Sequence, residues 1–269
     1  MASKSSRGKD DAMFKQLCLL TKKPGMSMAD FIDYYENRHA PLLASMMPGA
    51  RRYVRRFVQP EKAMAFGEFP PVPFDCMIEL WWDSRAAFEA GMAALGEGDN
   101  FQRIYDDEEN LFASHSNPGF SVDEFESAMQ GFADPPTGGA RRQCNGHEGV
   151  LKLVFLLKRK PGMSMEDFKS YYETSHSKLA EQATPGALRY IRRYVSPEHN
   201  PITGEQIELP FDVVMELWWP GRAAWDELQA GIAEADIGRA IYADEEVLFA
   251  SHLNPVFTVL ESDSPMRGW

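Results

Sequence analysis

Two stretches decide the architecture, residues 22–42 (KKPGMSMADFIDYYENRHAPL) and residues 159–179 (RKPGMSMEDFKSYYETSHSKL), because the second repeats the first at an offset of 137. The offset persists through residues 48–58 (PGARRYVRRFV) and 185–195 (PGALRYIRRYV). It persists through 73–88 (PFDCMIELWWDSRAAF) and 210–225 (PFDVVMELWWPGRAAW), then through 104–118 (IYDDEENLFASHSNP) and 241–255 (IYADEEVLFASHLNP). Residues 14–127 therefore align with 151–264 without a net gap, and half of the aligned positions are identical. A unit this long exceeds any solenoid repeat, so each copy is expected to be a domain in its own right. The Gly- and Pro-rich stretch 128–150 reads as a linker. Residues 1–13 and the last few residues (SDSPMRGW) are expected to be poorly ordered.

The first copy reads as alternating elements. Residues 14–21 (FKQLCLLT) are short and apolar, a buried strand. Ser27, three residues before Asp30, marks a helix start, and Phe31, Tyr34 and Tyr35 recur at helical spacing up to His39. Residues 52–58 form a second strand, 74–82 a third, 85–95 a second helix, and 120–124 a last strand. The acidic run from Asp106 reads as a short helical turn. The order β-α-β-β-α-β is the ferredoxin-like unit, an α+β arrangement with helices on one face of an antiparallel sheet. The bare faces of two such sheets can cover each other, so the chain is expected to form one eight-stranded barrel, a fused α+β barrel. Alternation along the third strand puts Cys76, Ile78, Leu80 and Trp82 under the helices and Met77, Glu79 and Trp81 on the inner face. A carboxylate and aromatics facing inward suggest a lined pocket rather than a dry core.

Composition narrows the function. The 269 residues carry 28 Lys plus Arg against 40 Asp plus Glu, a net charge of -12, with 44% hydrophobic and 25% charged residues. That is the balance of a globular protein, and its acidity disfavours nucleic acid as a partner. Each copy is equally acidic, so the charge belongs to the duplicated unit. Cys18, Cys76 and Cys144 show no zinc or disulfide spacing, which fits a reducing compartment. The polar N-terminus does not resemble a signal peptide, and no apolar run approaches the ~20 residues of a membrane span. A cytoplasmic protein with no membrane partner is expected, either a monomer with an internal pseudo-dimer or a homodimer.

The pattern KPGMSxxDFxxYYxxxHAPL, followed by PGxxRYxRR, FDxxxELWW and DEExLF, resembles the EthD family of the dimeric α+β barrel superfamily. The resemblance covers both copies. It implies a small cofactor-independent enzyme, among decarboxylases, dehydratases, cyclases, isomerases and oxygenases that act on aromatic or related rings. It also implies that the histidine of HAPL lies near the barrel mouth. That carries over directly to His39; at His176 the following Ser177-Lys178 replaces Ala-Pro, so the two sites are expected to differ.

Four histidines fall at repeated positions, His39 with His176 and His115 with His252, whereas His147 and His199 are unpaired and read as surface residues. Histidine is the natural acid or base near neutral pH. The plainer account of His39 and His176 is that they fix a helix end, and of His115 and His252 that they cap a turn. Glu79 and Glu216 alternate into the lumen, where Arg55 and Arg192 from the Arg pairs are expected to join them in orienting a phenolate or carboxylate; a structural ion pair is the competing account. Tyr34 and Tyr171 are the candidates for a pocket-facing hydroxyl, and Trp81 and Trp218 for stacking on a ring. The acidic runs at 106–109 and 244–246 lack cation-loop spacing and read as solvated helix starts. No metal site is expected, and no dinucleotide, phosphate-loop, serine-hydrolase or zincin motif is present. Three functions follow as expectations. The first is a lyase or isomerase without cofactor, acting on an aromatic or polyketide-like molecule. The others are a cofactorless oxygenase and a non-catalytic holder of a hydrophobic ligand.

Overall fold

The structure is a computed structural model and describes residues 13–61, 63–64, 67–127, 129, 142–144, 149–200 and 203–266. The expected disorder of residues 1–12, most of the linker 128–150 and His147 lie outside the described residues.

The chain begins with β1 (Phe14–Leu20), in which Leu17 and Leu19 point to one face and Cys18 and Leu20 to the other. The KPGM turn follows, with Gly25 at φ +83°, a conformation that favours glycine. Ser27 then caps α1 (Met28–Tyr34), its hydroxyl accepting from the Asp30 N–H at 3.1 Å. The helix continues through a π-helical turn, Tyr35–His39, into α2 (Ala40–Met46). Next come β2 (Ala50–Pro60), the short β3 (Ala63–Met64) and β4 (Gly67–Glu68), and β5 (Cys76–Trp82). Helices α3 (Arg85–Leu95) and α4 (Asn100–Leu111) precede β6 (Gly119–Ser127). After β7 (Arg142–Cys144) the second copy repeats the plan: β8 (Leu151–Leu157), α5 (Met165–Tyr171), a π-helical turn Tyr172–His176, and α6 (Ser177–Ala183). It ends with β9 (Arg189–Glu198), β10 (Val213–Trp219), α7 (Arg222–Ile232), α8 (Asp236–Leu248) and β11 (Val256–Pro265).

The strands run β2-β5-β1-β6-β9-β10-β8-β11, and β11 pairs back onto β2, so eight antiparallel strands close a barrel in an α+β fold. Two seams join the halves: β6 with β9, from Gly119–Glu198 to Ser127–Tyr190, and β11 with β2, from Phe257–Pro60 to Pro265–Arg52. Closure removes the exposed edges that either sheet would have alone. The lumen is filled by apolar side chains of both halves, among them Leu17, Leu19, Met77, Phe120, Val154 and Phe257. Each half keeps a second core between its helices and the outer face of its sheet, around Tyr35, Tyr53 and Trp82 in one and Tyr172, Tyr190 and Trp219 in the other.

Three expectations need correction. The tail is not loose from Ser262, because β11 runs to Pro265 and pairs with β2 throughout. Within the stretch read as a linker, β7 adds to β11. The run from Asp106 is no helix start: α4 begins at Asn100, and the acids lie in its second half. Among the described residues no helix is long and apolar enough to cross a membrane.

Candidate active sites

Among the described residues, each copy holds a cavity between its helices and the outer face of its sheet. The first, of about 160 Å3, is lined by His39, Glu108 and His115 amid Tyr35, Leu80 and Phe112. The second, of about 140 Å3, is lined by the equivalents His176, Glu245 and His252 amid Tyr172, Leu217 and Phe249. An apolar cavity of roughly this size holds a benzene ring.

The π-helical turn sets the position of His39. One extra residue per turn widens the helix there, and such bulges concentrate at functional sites. Glu36 in this turn is held by a two-pronged pairing with Arg55, at 2.8 and 2.6 Å, and the Arg55 Nη1 also donates to Tyr53 O and Ser264 Oγ at 2.8 Å each. Tyr35 packs edge-on to His39 with 4.8 Å between ring centres, and Phe112 does so from the far side at 5.2 Å. His39 Nδ1 lies 2.8 Å from the carboxylate of Asp107, whose other oxygen accepts from the Tyr34 hydroxyl at 3.0 Å. Burial works against the Asp107 charge, but the hydrogen bonds from His39 and Tyr34 outweigh it and hold the carboxyl below its ordinary value. An ionised Asp107 only accepts, so Nδ1 carries the hydrogen and Nε2 is the ring nitrogen left to take up a proton. Nε2 has no hydrogen-bond partner among the described residues.

Glu108, the next residue, points the other way, into the cavity. Ile104, Glu108 and Leu111 share the buried stripe of α4. Burial pushes the Glu108 carboxyl up, against the opposing pull of His39 and His115. It meets His115 Nδ1 at 3.1 Å, and His115 stacks on Tyr105 at 3.8 Å. Cys18 also lines the cavity; burial, with the Glu108 charge beside it, pushes its thiol up to about 12, so it stays protonated.

The second copy repeats this constellation. His176 Nδ1 meets Asp244 at 2.7 Å, Tyr171 donates to Asp244 at 2.6 Å, and His252 Nδ1 meets Glu245 at 3.1 Å and stacks on Tyr242 at 3.7 Å. Burial raises the Glu245 carboxyl as it does Glu108. Arg192 pairs twice with Glu173, at 3.1 and 2.6 Å. Ser177-Lys178 in place of Ala-Pro changes none of these contacts.

The four repeated histidines therefore come together with the cavities, and the other candidates do not. Glu79 and Glu216 do face the lumen, but the lumen is packed core and salt bridge rather than a lined pocket. Glu79 accepts from Arg56 at 2.5 Å and from Trp81 Nε1 at 2.5 Å. Glu216 accepts from Arg193 and, at 2.9 Å, from Trp218 Nε1. Arg56 also donates to Glu261, which Lys152 meets at 2.7 Å, and Arg193 donates to Glu124, which Lys15 meets at 2.8 Å. Burial opposes these charges, yet the arginines prevail: Glu79 lies well below the usual carboxylate range and Glu216 falls to about 2. Such fixed anions are poor proton carriers.

The expected partnership of Glu79 with Arg55, and of Glu216 with Arg192, is corrected by parity. Arg55 is opposite Ile78 in register and shares its helix-side face, so its neighbour Arg56 is the one turned inward. Both members of each Arg pair are paired with carboxylates, and no Lys or Arg lines either cavity among the described residues. Tyr34 and Tyr171 bind the aspartates behind the histidines, and it is Tyr35 and Tyr172 that line the cavities. Trp81 and Trp218 sit against lumen carboxylates and cations, not cavity walls. Asp107, Glu108, Asp244 and Glu245 were hidden in the acidic runs. Their signal was an acid inside an apolar i, i+4, i+7 stripe, Ile104–Glu108–Leu111.

A family model for the EthD domain matches residues 23–115 and again 160–252. Among solved structures the chain is similar to an anthrone oxidase-like protein, at a TM-score of 0.59 and 10% identity over 97% of this chain and 95% of that one. It is also similar to a candidate monooxygenase from Lactobacillus acidophilus NCFM, at a TM-score of 0.48 and 9% identity over 94% of this chain and 96% of that one. At these identities the likeness is one of fold. No curated protein matches the chain.

Proposed function

The chain belongs to the EthD family, within the dimeric α+β barrel superfamily, and we propose that its two cavities are proton-transfer sites for an aromatic or polyketide-like small molecule. The observation that carries this reading is a His39 Nε2 left without a partner beside the Asp107 contact, in a histidine that lines an apolar cavity together with Glu108, a carboxyl that burial pushes up. In this reading residues 14–127 and 151–264 are two ferredoxin-like domains, each contributing one site.

His39 takes a proton from a carbon beside a ring carbonyl, with Asp107 stabilising the imidazolium that results. Glu108 delivers its own proton to a second position. If that position is a carbon, the product is an isomer. If it is a departing hydroxyl, water leaves and the reaction is a dehydration. His115 is placed to reprotonate Glu108. Arg55 and Glu36 act at one remove, as positioning residues for the turn that carries His39. His176, Asp244, Glu245 and His252 do the same in the second cavity. A mere holder of apolar ligands has no use for ionisable groups such as His39, Glu108 and His176, which are buried at a cost.

A second reading keeps the same base and changes the fate of the anion, which gives its electrons to dioxygen; a methylene then becomes a carbonyl and the second oxygen atom leaves as water. The shared fold with an anthrone oxidase-like protein supports keeping it in view.

The test uses 2-tetralone, a bicyclic aromatic ketone with an acidic methylene, in deuterated water. The wild-type protein should accelerate exchange at that methylene, and the double variant His39→Ala with His176→Ala should lose the acceleration. Exchange at the wild-type rate in the double variant ends the proton-transfer reading. Oxygen consumption during turnover would move the assignment to the second reading.

A further inference from the structure

The catalytic sets of the two cavities are alike, but their walls are not. Gln16, on β1, lines the first cavity and is only 6% exposed, yet neither end of its amide has a hydrogen-bond partner among the described residues. The strand opposite carries Gly119, and the Gln16 Nε2 lies against it, 3.4 Å from where a Cβ would stand. In the second copy these positions are Leu153 and Val256, both apolar and both buried. The second cavity has its own orphan, in a different wall. Gln229, on α7, lines it with a fully buried Oε1 that accepts no hydrogen bond. The position equivalent to Gln229 in the first copy is Met92.

The Gln229 Oε1 is buried without a partner and costs free energy in the empty protein, which a ligand that satisfies it recovers; a ligand that reaches the cavity-lining Gln16 amide gains a hydrogen bond there. We propose that the two cavities select differently substituted members of one ring class. The first takes a ligand bearing a hydroxyl or carbonyl at the end that lies against β1, recognised by Gln16. The second takes a ligand that is hydrocarbon at that end and presents a hydroxyl toward α7, recognised by Gln229. This rests on the cavities being ligand sites, as in the proton-transfer reading, but not on any reaction taking place.

The methionines supply a separate reporter for each site: Met47 and Met92 line the first cavity and Met215 the second. The protein is labelled at its methionine methyl carbons and titrated with 2-naphthol, 2,6-naphthalenediol and 2,7-naphthalenediol, reading each site by its own methyl resonance. The diol preferred at Met92 should differ from the one preferred at Met215. Gln16→Leu, which installs the residue of the other copy, should lower the affinity for the preferred diol at Met92 about tenfold. It should leave 2-naphthol and the Met215 site unchanged. Gln229→Leu should do the reverse. The same ranking of diols in both cavities, or a preference that survives both substitutions, overturns the proposal while leaving proton transfer standing. Failure of all three probes to move any of these resonances overturns it together with the ligand-site reading.

Discussion

The two halves of the barrel differ most where the chemistry is least constrained. His39–Asp107–Tyr34 and His176–Asp244–Tyr171 superpose contact for contact, while the walls around them exchange Gln16 for Leu153, Met92 for Gln229, Leu43 for Ala180 and Met47 for Thr184. A proton relay tolerates little displacement, because each hydrogen bond depends on distance and angle. The walls carry no such constraint, and exchanges such as Leu43 for Ala180 change the space as well as the chemistry. On the proposed reading, the two sites keep one chemistry and part in what they admit.

The lumen tells the halves apart energetically. Arg56 serves Glu79 and Glu261, both buried, and lies 3.9 Å from Glu216, whereas Arg193 serves Glu216 and the part-exposed Glu124. Removing one partner of a buried pair strands the other charge and costs about 3–5 kcal/mol. Arg56→Ala should fall at the upper end of that range and Arg193→Ala at the lower, by urea denaturation. A larger loss for Arg193→Ala would mean that the network is not centred on the seam where β2 meets β11.

Acid should separate lumen from cavity. Glu216 is held at about 2, below its unfolded value near 4.5, so its stabilisation is complete above about pH 5 and is lost as pH falls toward 2, on the order of 3 kcal/mol. Glu108 and Glu245 are shifted the opposite way; their folded forms hold the proton more tightly, so they favour folding as pH falls and oppose it as pH rises. The Glu108→Gln, Glu245→Gln double variant should therefore gain stability at neutral pH relative to wild type while keeping the acid transition of the lumen. A stability profile unchanged at neutral pH would show that these carboxyls are not strained by burial.

Next in size is the aspartate behind each histidine. Asp107→Asn leaves the shape intact but lets the imidazole take the other tautomer, with Nε2 protonated and useless as a base. A loss of about a hundredfold in 2-tetralone exchange is expected at that site, within the range of general-base contributions. Asp244→Asn should behave likewise at the other. If one substitution abolishes all exchange and the other does nothing, only one cavity is a reacting site.

How much of this was legible in the sequence depends on the kind of order involved. The repeat carried the barrel, because two half-buried sheets have one economical way to cover each other. Period-two alternation correctly turned Glu79 and Glu216 inward. Alternation alone could not say which of Arg55 and Arg56 shared their face, because a register shift between Ala50 and Arg52 interrupts the count along β2. The Arg pairs were visible as partners for the inner carboxylates, but the sequence left open whether they orient a substrate or close a structural ion pair. The acids that line or back the cavity were masked by composition: four consecutive acidic residues read as a solvated surface, and only a helix start at Asn100, six residues earlier, places Glu108 on the buried stripe and Asp107 beside His39. The tyrosines were off by one position because consecutive residues on a helix point about 100° apart, and the sequence does not say which of Tyr34 and Tyr35 faces the cavity.

The smallest contrast lies where each third helix begins. Ser84 caps α3, its hydroxyl accepting from the Ala87 N–H at 3.2 Å, and Ser84→Ala should cost about 1 kcal/mol. The equivalent residue before α7 is Gly221, with no side chain to cap and φ at +99°. Glycine is itself a tolerated cap, so Ser84→Gly should lower stability by only a few tenths of a kcal/mol. The reverse change, Gly221→Ser, installs the better capping residue by type, yet it should destabilise by about 1 kcal/mol or more. A side chain at that φ is strained, and its Cβ would stand 3.1 Å from the Gly149 carbonyl oxygen. Thermal unfolding of the two reciprocal variants decides the matter. Stabilisation by Gly221→Ser would show that the backbone relaxes there and that the two helix starts are interchangeable. Destabilisation would show that contact with the segment leading into β8, rather than capping, dictates how the second copy enters its helix.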